Sequence, residues 1–239
     1  MAEGRSPRLS VVIPAYNEEQ RLPRTVEEIE RYLDGKRVDY ELILVDDGST
    51  DGTRLVMDAA AERNPKVRLE ALPRNRGKGR ALASGVAMAR GNEVLVTDAD
   101  LSTPIEELEK LEAALKDGAG VAIASRAIKG SRIEIPQPVY RVLMGKVFNL
   151  IVQVVLLPGI WDTQCGFKLF RADVAHPVFA ALTTDGFGYD PEVLYLAKRR
   201  GVKITEVPVV WRHSAPTKVM AWRSSLDMFK HVVRVRFKR

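Results

Sequence analysis

The first half of the chain alternates apolar, β-branched runs with amphipathic segments. The runs predict strands over residues 9–14, 41–46, 67–71, 93–97 and 120–125. Between them, apolar residues spaced three and four apart, opposite charged faces, predict helices near residues 22–34, 52–63, 79–90 and 104–116. Strands and helices that alternate through short loops are typical of an α/β fold, with a mainly parallel sheet flanked by helices.

This alternation ends near residue 126, and the later elements are less regular. The pattern there predicts a loop over 131–138, a long apolar helix over 140–157, and a turn with a short strand over 163–170. Further along, it predicts a helix over 189–200, a strand over 203–210 and an amphipathic helix over 222–237. Because no linker or repeat interrupts the sequence, we expect one domain over residues 1–239 with two unlike halves.

Composition narrows the class of protein. The chain has 239 residues, of which 46% are hydrophobic and 28% charged, as in ordinary globular proteins. Its one cysteine, Cys165, suits a reducing compartment, and no apolar segment precedes the first strand as a signal peptide would, so we expect a cytoplasmic protein. The longest charge-free stretch, residues 147–161, is too short and too interrupted to span a bilayer, and it predicts a buried or interfacial helix.

Positive charge is concentrated at the carboxyl-terminal end. The net charge is +6, yet residues 198–239 contain twelve Lys or Arg and only two acids. This asymmetry indicates an anionic partner, and composition alone leaves lipid headgroups, nucleic acid and a phosphorylated substrate open. No nucleic-acid-binding motif accompanies the basic segment, so we expect no nucleic-acid partner.

Acidic residues follow three of the predicted strands. They lie in residues 14–18, in residues 46–51 and at Asp98 and Asp100. Ligands of parallel α/β sheets bind beyond the carboxyl ends of the strands, so these clusters should converge on one edge. Asp98 and Asp100 have the spacing to hold one divalent cation on a diphosphate. An isolated Asp-x-Asp is more often a loop pair or a helix cap, and the context favours the metal site.

Two further motifs are ambiguous. Asp47, taken alone, is better explained as part of a cap for the helix that begins near Asp51 than as a ligand for a nucleobase or ribose. Residues 75–80 contain two glycines and three basic residues, among them Lys78, which favours an anion near a helix start. This loop lacks the Walker spacing, and no dinucleotide fingerprint follows the first strand, so kinase and dehydrogenase functions are disfavoured.

Together these motifs resemble a known family. Residues 11–18, 45–53 and 98–100 resemble the family 2 nucleotide-sugar glycosyltransferases, which have the GT-A fold with a Rossmann-like sheet. Ser125-Arg126, residues 162–170 and residues 192–195 resemble the branch that glycosylates dolichyl phosphate. The run Asp-Thr-Gln-Cys-Gly-Phe-Lys is most similar to that of the glucosyl enzymes, and Ser102 stands where mannosyl relatives commonly have Gln.

The resemblance implies that the two halves of the chain bind different substrates. Residues 9–125 would bind the nucleotide sugar, and residues 126–239 would form the acceptor half with interfacial helices. The implied donor site has Mg²⁺ or Mn²⁺ on Asp98 and Asp100, with the nucleotide and diphosphate bound by Pro14, Tyr16, Glu18, Val45, Asp47, Lys78 and Ala99. The implied catalytic residues are Asp100, Arg126, Arg212 and Lys218, the last two on a loop that closes over the diphosphate. Arg126 would meet a phosphate of either the donor or the lipid acceptor, Arg141 is the candidate for the acceptor phosphate, and Asp162 or Asp190 would orient the acceptor.

The implied reaction is an inverting transfer of a hexose, with UDP-glucose as the favoured donor, to a polyprenyl phosphate such as dolichyl or undecaprenyl phosphate. The enzyme would bind peripherally to the cytoplasmic face of a membrane through its apolar and basic helices. The alternative for those helices is a core helix and a solvated basic face. The alternatives for the function are a GDP-mannose-dependent mannosyltransferase and a non-catalytic nucleotide-binding scaffold.

Overall fold

A seven-stranded sheet forms the centre of the protein. The computed structural model describes residues 6–214, 232 and 234–237. Its strands are β1 (Leu9–Ala15), β2 (Tyr40–Asp46), β3 (Val67–Ala71), β4 (Glu93–Val96), β5 (Val121–Ser125), β6 (Arg132–Ile135), β7 (Lys168–Arg171), β8 (Ile204–Pro208) and β9 (Val210–Arg212). The main sheet has the order β3-β2-β1-β4-β7-β5-β8, and among these described strands only β7 runs antiparallel to its neighbours. The predicted mainly parallel sheet is confirmed.

Helices cover both faces of this sheet. They are α1 (Leu22–Gly35), α2 (Thr53–Arg63), α3 (Lys78–Met88), α4 (Leu108–Lys116), α5 (Val139–Val155), α6 (Ala172–Ala180) and α7 (Tyr189–Arg199), with a 3₁₀ turn at Ile105–Glu107. On one face, α1 buries Leu22, Val26 and Ile29 in the core. On the other, α3 packs against β1 and β2, and α6 packs against β4 and β7. The spacing of the apolar residues in α1 explains why this helix forms where the sequence predicts it.

The direction of each strand decides what lies at the functional edge. β1, β2, β4 and β5 end at the same edge, where Ala15 pairs with Asp46. Since β7 is reversed, its first residue, Lys168, pairs with Val96 of β4 and Ile123 of β5 at that edge. The turn before β7 therefore lies beside the ends of the parallel strands.

The second half corrects several predictions. Residues 131–138 were expected to be a loop, but Arg132–Ile135 is strand β6, which pairs with β9 in a small second sheet. All four residues of β6 are exposed, so no alternation of buried side chains marks the strand. The strand predicted over 203–210 ends at Pro208, and the chain then passes to the small sheet. Helix α6 was not predicted, and it contains Pro177.

The last predicted helix falls mainly outside the described residues. Within residues 222–237, only 232 and 234–237 are described; these are helical, and Val232 and Val235 lie in the core that also contains Phe148 and Val152 of α5. In the part of the chain that the structure covers, no helix has the length and apolar character needed to cross a membrane.

Candidate active site

The predicted acidic clusters converge on one cleft at the carboxyl edge of the sheet. The cleft has a volume of about 400 Å³. It is lined by Pro14, Ala15, Tyr16, Glu18, Arg21, Asp47, Asn75, Gly77, Lys78, Asp98, Ala99, Asp100 and Phe187. Eight of these residues were predicted from the sequence as donor or metal ligands. The clustering follows from the parallel order of β1, β2 and β4, whose ends lie side by side.

Asp98 is held between a base and a glycine. The ammonium of Lys78 donates a hydrogen bond to Oδ1 of Asp98. A Cβ on Gly166 would lie only 2.0 Å from the other carboxylate oxygen, so the absence of a side chain there makes room for Asp98. Burial opposes ionisation of Asp98, but the charge of Lys78 outweighs it and lowers the pKa of the carboxyl. Asp98 is therefore an anion in a fixed position.

Asp100 differs from Asp98 in its surroundings. Its Oδ1 accepts a hydrogen bond from the backbone N–H of Ser102 at 3.0 Å. Burial and then the charge of Asp98 raise the pKa of Asp100. Two carboxylates that repel each other in one cleft are stabilised by a shared cation. This is the electrostatic condition that a metal site satisfies.

The pair fits a hard divalent cation such as Mg²⁺ or Mn²⁺. Both ions accept carboxylate oxygens, and in diphosphate sites Mg²⁺ commonly takes one or two carboxylates and completes its coordination with phosphate and water. Within residues 6–214 and the short described helix near the carboxyl terminus, no group of three or more His, Cys, Asp or Glu is placed to hold a metal. Substrate oxygens and water would therefore supply the remaining ligands.

Glu18 lines the cleft together with an arginine that the sequence reasoning missed. Arg21 donates to both carboxylate oxygens of Glu18, at 2.6 Å from Nε and 2.5 Å from Nη2. Burial opposes the charge of Arg21, but Glu18, Asp100 and Asp98 together raise its pKa. The available signal was its position three residues after Glu18 and directly before α1. Arg21 places a guanidinium in the cleft, with its charge balanced by Glu18.

Asp47 lines the cleft and also fixes a neighbouring loop. Its two oxygens accept the backbone N–H groups of Arg76 and Gly77 at 2.7 and 2.8 Å. The sequence reasoning placed Val45 beside Asp47 at the nucleotide, but Val45 is fully buried in the core and does not line the cleft. Its Cγ2 lies 2.7 Å from the position that a Cβ on Gly85 of α3 would take, because α3 packs closely on β2.

The basic loop over residues 75–80 contributes one of its three charges to the cleft. Arg76 and Arg80 both bond Asp185, at 3.4 and 3.0 Å, and only Lys78 contacts Asp98. A Cβ on Gly79 would lie 2.3 Å from the carbonyl oxygen of Thr184. The glycine therefore permits close packing against the segment that precedes α7, rather than a phosphate contact as its loop suggested.

That segment brings Phe187 into the cleft. The Phe187 side chain is 44% exposed, and no sequence pattern marked it. The segment is fixed by Glu192 of α7, which accepts the backbone N–H groups of Thr183 and Thr184 at 3.0 and 2.9 Å. Its place beside Gly77 depends on contacts more than 100 residues apart in sequence, such as that of Arg80 with Asp185.

Arg126 lies near enough to Asp98 for their charges to interact. It is not among the residues that line the cleft, and its guanidinium carbon lies 5.4 Å from the centroid of the Trp211 ring. Asp98 and Trp211 share a second, much smaller pocket. Asp162 accepts hydrogen bonds from the backbone N, Nε and Nη2 of Arg126 at 2.9, 2.7 and 2.9 Å. The charges of both Lys78 and Arg126 thus stabilise the ionised carboxylate of Asp98.

Asp190, the second carboxylate suggested for the acceptor, is also in an ion pair. It accepts a hydrogen bond from Lys168, whose side chain is 1% exposed and which also donates to the carbonyl oxygen of Cys165 at 2.6 Å. The Nζ atoms of Lys78 and Lys168 lie 5.4 and 5.9 Å from the centroid of the Tyr189 ring. The buried Lys168–Asp190 pair is thus linked to Lys78 of the cleft through the ring of Tyr189.

The remaining predicted residues lie away from the cleft or cannot be described. Arg212, at the end of β9, donates from Nε to Glu134 at 2.7 Å, and its backbone N–H bonds the carbonyl oxygen of Ser102 at 2.8 Å. Lys218 lies outside the described residues. Arg141 lies on the first turns of α5, and its side chain is not described.

Comparison with known proteins identifies the family. The profile of Glycosyl transferase family 2 matches residues 10–179. The chain belongs to this glycosyltransferase family. Its family 2 relatives include the dolichyl-phosphate beta-glucosyltransferase of Dictyostelium discoideum, 35% identical over 96% of this chain and 74% of the relative. The human protein of that name is 36% identical over 97% of this chain and 75% of its own. The resemblance found in the motifs is confirmed.

A solved structure supports the fold assignment of this family 2 chain. Glucosyl-3-phosphoglycerate synthase from Mycobacterium tuberculosis, in complex with Mn²⁺ and UDP-glucose, superposes with a TM-score of 0.68 at 21% identity. The match covers 96% of this chain and 77% of that one. The predicted GT-A fold is thereby confirmed, and at this identity the likeness concerns the fold alone.

Proposed function

We propose that this family 2 glycosyltransferase transfers glucose from UDP-glucose to a polyprenyl phosphate, with inversion at the anomeric carbon. The observation that carries the proposal is the convergence of Asp98, Asp100 and Lys78 on one cleft. The names of the relatives point to glucose, to dolichyl phosphate and to a β product. Since the sugar of UDP-glucose is α-linked, a β product requires inversion.

The donor diphosphate is proposed to lie between the carboxylates and the bases of the cleft. A divalent cation held by Asp98 and Asp100 would neutralise the negative charge that develops on the leaving diphosphate. Lys78 and Arg21, paired with Asp98 and Glu18, supply cationic donors in the same cleft, and Pro14 and Tyr16 form the wall at the end of β1. The neighbour solved with Mn²⁺ and UDP-glucose supports this choice of ligands.

The acceptor phosphate is proposed to approach from the side of Arg126. One of its oxygens forms the bond to the anomeric carbon, while the bond from that carbon to the diphosphate breaks and the nucleotide leaves with the electron pair. A phosphate monoester has a second pKa of about 6, so this nucleophile is already ionised near pH 7 and needs no protein base. The pairing of Asp162 and Asp190 with bases agrees with that conclusion.

Arg212, Lys218 and Arg141 keep their proposed roles toward phosphate groups. The backbone bond from Arg212 to Ser102 ties β9 to the turn that follows Asp100. A change of side-chain rotamer away from Glu134 would be needed for Arg212 to reach the diphosphate. Arg212 and Lys218 would then act on the leaving group, and Arg141 on the acceptor.

Donor titration tests the proposed function directly. We expect purified protein with Mg²⁺ to bind UDP-glucose at least about tenfold more tightly than GDP-mannose, and to transfer glucose to polyprenyl phosphate. Calorimetry measures the binding, and radiolabelled lipid product measures the transfer. A preference for GDP-mannose would instead identify the mannosyltransferase, and nucleotide binding without any transfer would identify the non-catalytic scaffold.

We further propose that the enzyme works at the cytoplasmic face of a membrane, with α5 at the lipid surface. Exposed apolar side chains follow one another along α5 at intervals of three and four residues, so they share one face. They are Val139, Leu143, Val147, Leu150 and Val154, all more than 50% exposed. A row of this kind, together with the basic carboxyl-terminal segment, fits an anionic bilayer surface.

Replacing two residues of this row should weaken membrane binding. Burial of a leucine side chain contributes about 1.5–3 kcal/mol, so we expect the double variant Leu143→Gln/Leu150→Gln to lose at least about tenfold in vesicle affinity. Flotation with vesicles of anionic phospholipid measures the bound fraction. Leu55→Gln is the matched control, because Leu55 is 74% exposed on α2. Equal flotation of all three proteins would disprove the role of α5.

A further inference from the structure

Residues 160–164 connect helix α5 to the site, and Asn149 holds them from the helix side. Its Nδ2 donates to the carbonyl oxygens of Trp161 at 2.5 Å and Ile160 at 3.4 Å. Its Oδ1 accepts the backbone N–H and the hydroxyl of Thr163 at 3.3 and 3.2 Å. Asn149 is a buried polar side chain, 8% exposed, in a predominantly apolar helix. These four contacts account for an amide at that position.

The same segment is held from the opposite side by β8. Glu206 accepts the backbone N–H groups of Trp161 and Asp162 at 2.8 and 2.9 Å. Asp162 in turn binds Arg126 through three hydrogen bonds. Because Asp162 lies between the two anchors, a displacement of residues 160–164 would move its carboxylate and the guanidinium that it orients.

We propose that Asn149 is a positioning residue that couples the apolar face of α5 to Arg126 through residues 160–164. The inference rests on the proposed function, in which α5 meets the membrane and Arg126 meets the acceptor phosphate. When α5 lies on the lipid surface, Asn149 fixes Asp162 relative to that surface. Arg126 is then held at the distance from the lipid surface at which a lipid-borne phosphate enters the site.

The proposal distinguishes acceptor binding from donor binding. None of the residues that line the donor cleft bonds Asn149 in the described structure. Loss of Asn149 should therefore raise the KM for the acceptor and leave UDP-glucose binding unchanged. A purely structural role would lower thermal stability and affect both substrates alike.

Kinetics of Asn149→Ala in the full chain provide the first test. With polyprenyl phosphate in anionic vesicles, we expect an acceptor KM about tenfold above wild type and an unchanged dissociation constant for UDP-glucose. Gln153→Ala, on the next turn of α5, is the matched control and should behave as wild type. If Asn149→Ala does not fold, Asn149→Asp keeps the shape and removes the donors to the two carbonyl oxygens. An unchanged acceptor KM in a folded Asn149 variant overturns the proposal.

A double-mutant cycle tests whether the effect passes through Arg126. Arg126→Lys keeps the charge but loses the paired contact with Asp162. In that background, Asn149→Ala should change the acceptor KM by less than about twofold, because the link is already broken. Independent effects that multiply would overturn the coupling. Wild-type protein that transfers no sugar to polyprenyl phosphate would instead refute the proposed function, so the two failures are distinguishable.

Discussion

Asp100→Asn should lower metal-dependent glucosyl transfer by at least about a thousandfold, because the leaving diphosphate loses the cation that neutralises it. The side chain keeps its shape and can still accept the hydrogen bond from Ser102, so the local turn should survive. The charge alone is removed. Transfer assays with Mg²⁺ or Mn²⁺ measure the rate, and titration with Mn²⁺ in the presence of UDP measures metal binding.

The comparison with Asp98 and with a remote aspartate makes this prediction specific. Asp98→Asn should also impair transfer, and it removes the partner of Lys78 in addition. Asp58→Asn is the control, since Asp58 pairs with Arg54 on the surface of α2 and with no other side chain among the residues that the structure describes. Surface pairs of this kind contribute about 0–1 kcal/mol to stability, so this variant should retain full activity. Normal metal dependence in Asp100→Asn would refute the assigned metal site.

Gly166→Ala is expected to lower kcat/KM about a hundredfold while the fold is retained. The new Cβ would lie 2.0 Å from one oxygen of Asp98 and 2.6 Å from the other. The obstructed atoms are the end of a side chain, so the carboxylate can move without unfolding the backbone. A displacement of about 1 Å in a catalytic group can cost about a hundredfold in rate.

Gly145→Ala is the matched control for this variant. Gly145 lies within α5, and a Cβ there would meet nothing within 4 Å. Alanine in a helix interior is favoured over glycine by about 0.5–1 kcal/mol, so this variant should be active and slightly more stable. Thermal denaturation and steady-state kinetics of both variants separate stability from turnover. If Gly166→Ala lost stability and activity together, the glycine would have a structural role instead.

The sequence predicts the donor side well because local signals coincide there. A buried strand is predicted by the apolar run Val11, Val12 and Ile13, and the polar residues directly after this strand must lie at its carboxyl end. Parallel pairing then brings Tyr16, Asp47 and Asp98 together without further information. The same rule fails for Val45, because it fixes the position of a residue along a strand but not the face that its side chain occupies.

The parts that the sequence does not predict depend on pairing over long distances. Strand β6 has no buried side chain and forms because β9 lies beside it. The contact between Glu134 of β6 and Arg212 of β9 joins residues that are 78 positions apart in sequence. Arg126 and Asp162 were both recognised, but their 36-residue separation hid the ion pair between them. Phe187 reaches the cleft only because its segment packs on Gly77. The division into two functional halves stays a prediction.

The reversed direction of β7 has a consequence for sequence variation. The parallel strands place the residues after their carboxyl ends at the site. Because β7 is antiparallel, it is the residues before its amino end, including Gly166, that lie there. The segment from Arg126 to Gly166 thus begins and ends at the same edge of the sheet. This segment can therefore change in length or sequence while the strands that carry Asp47 and Asp98 keep their pairing.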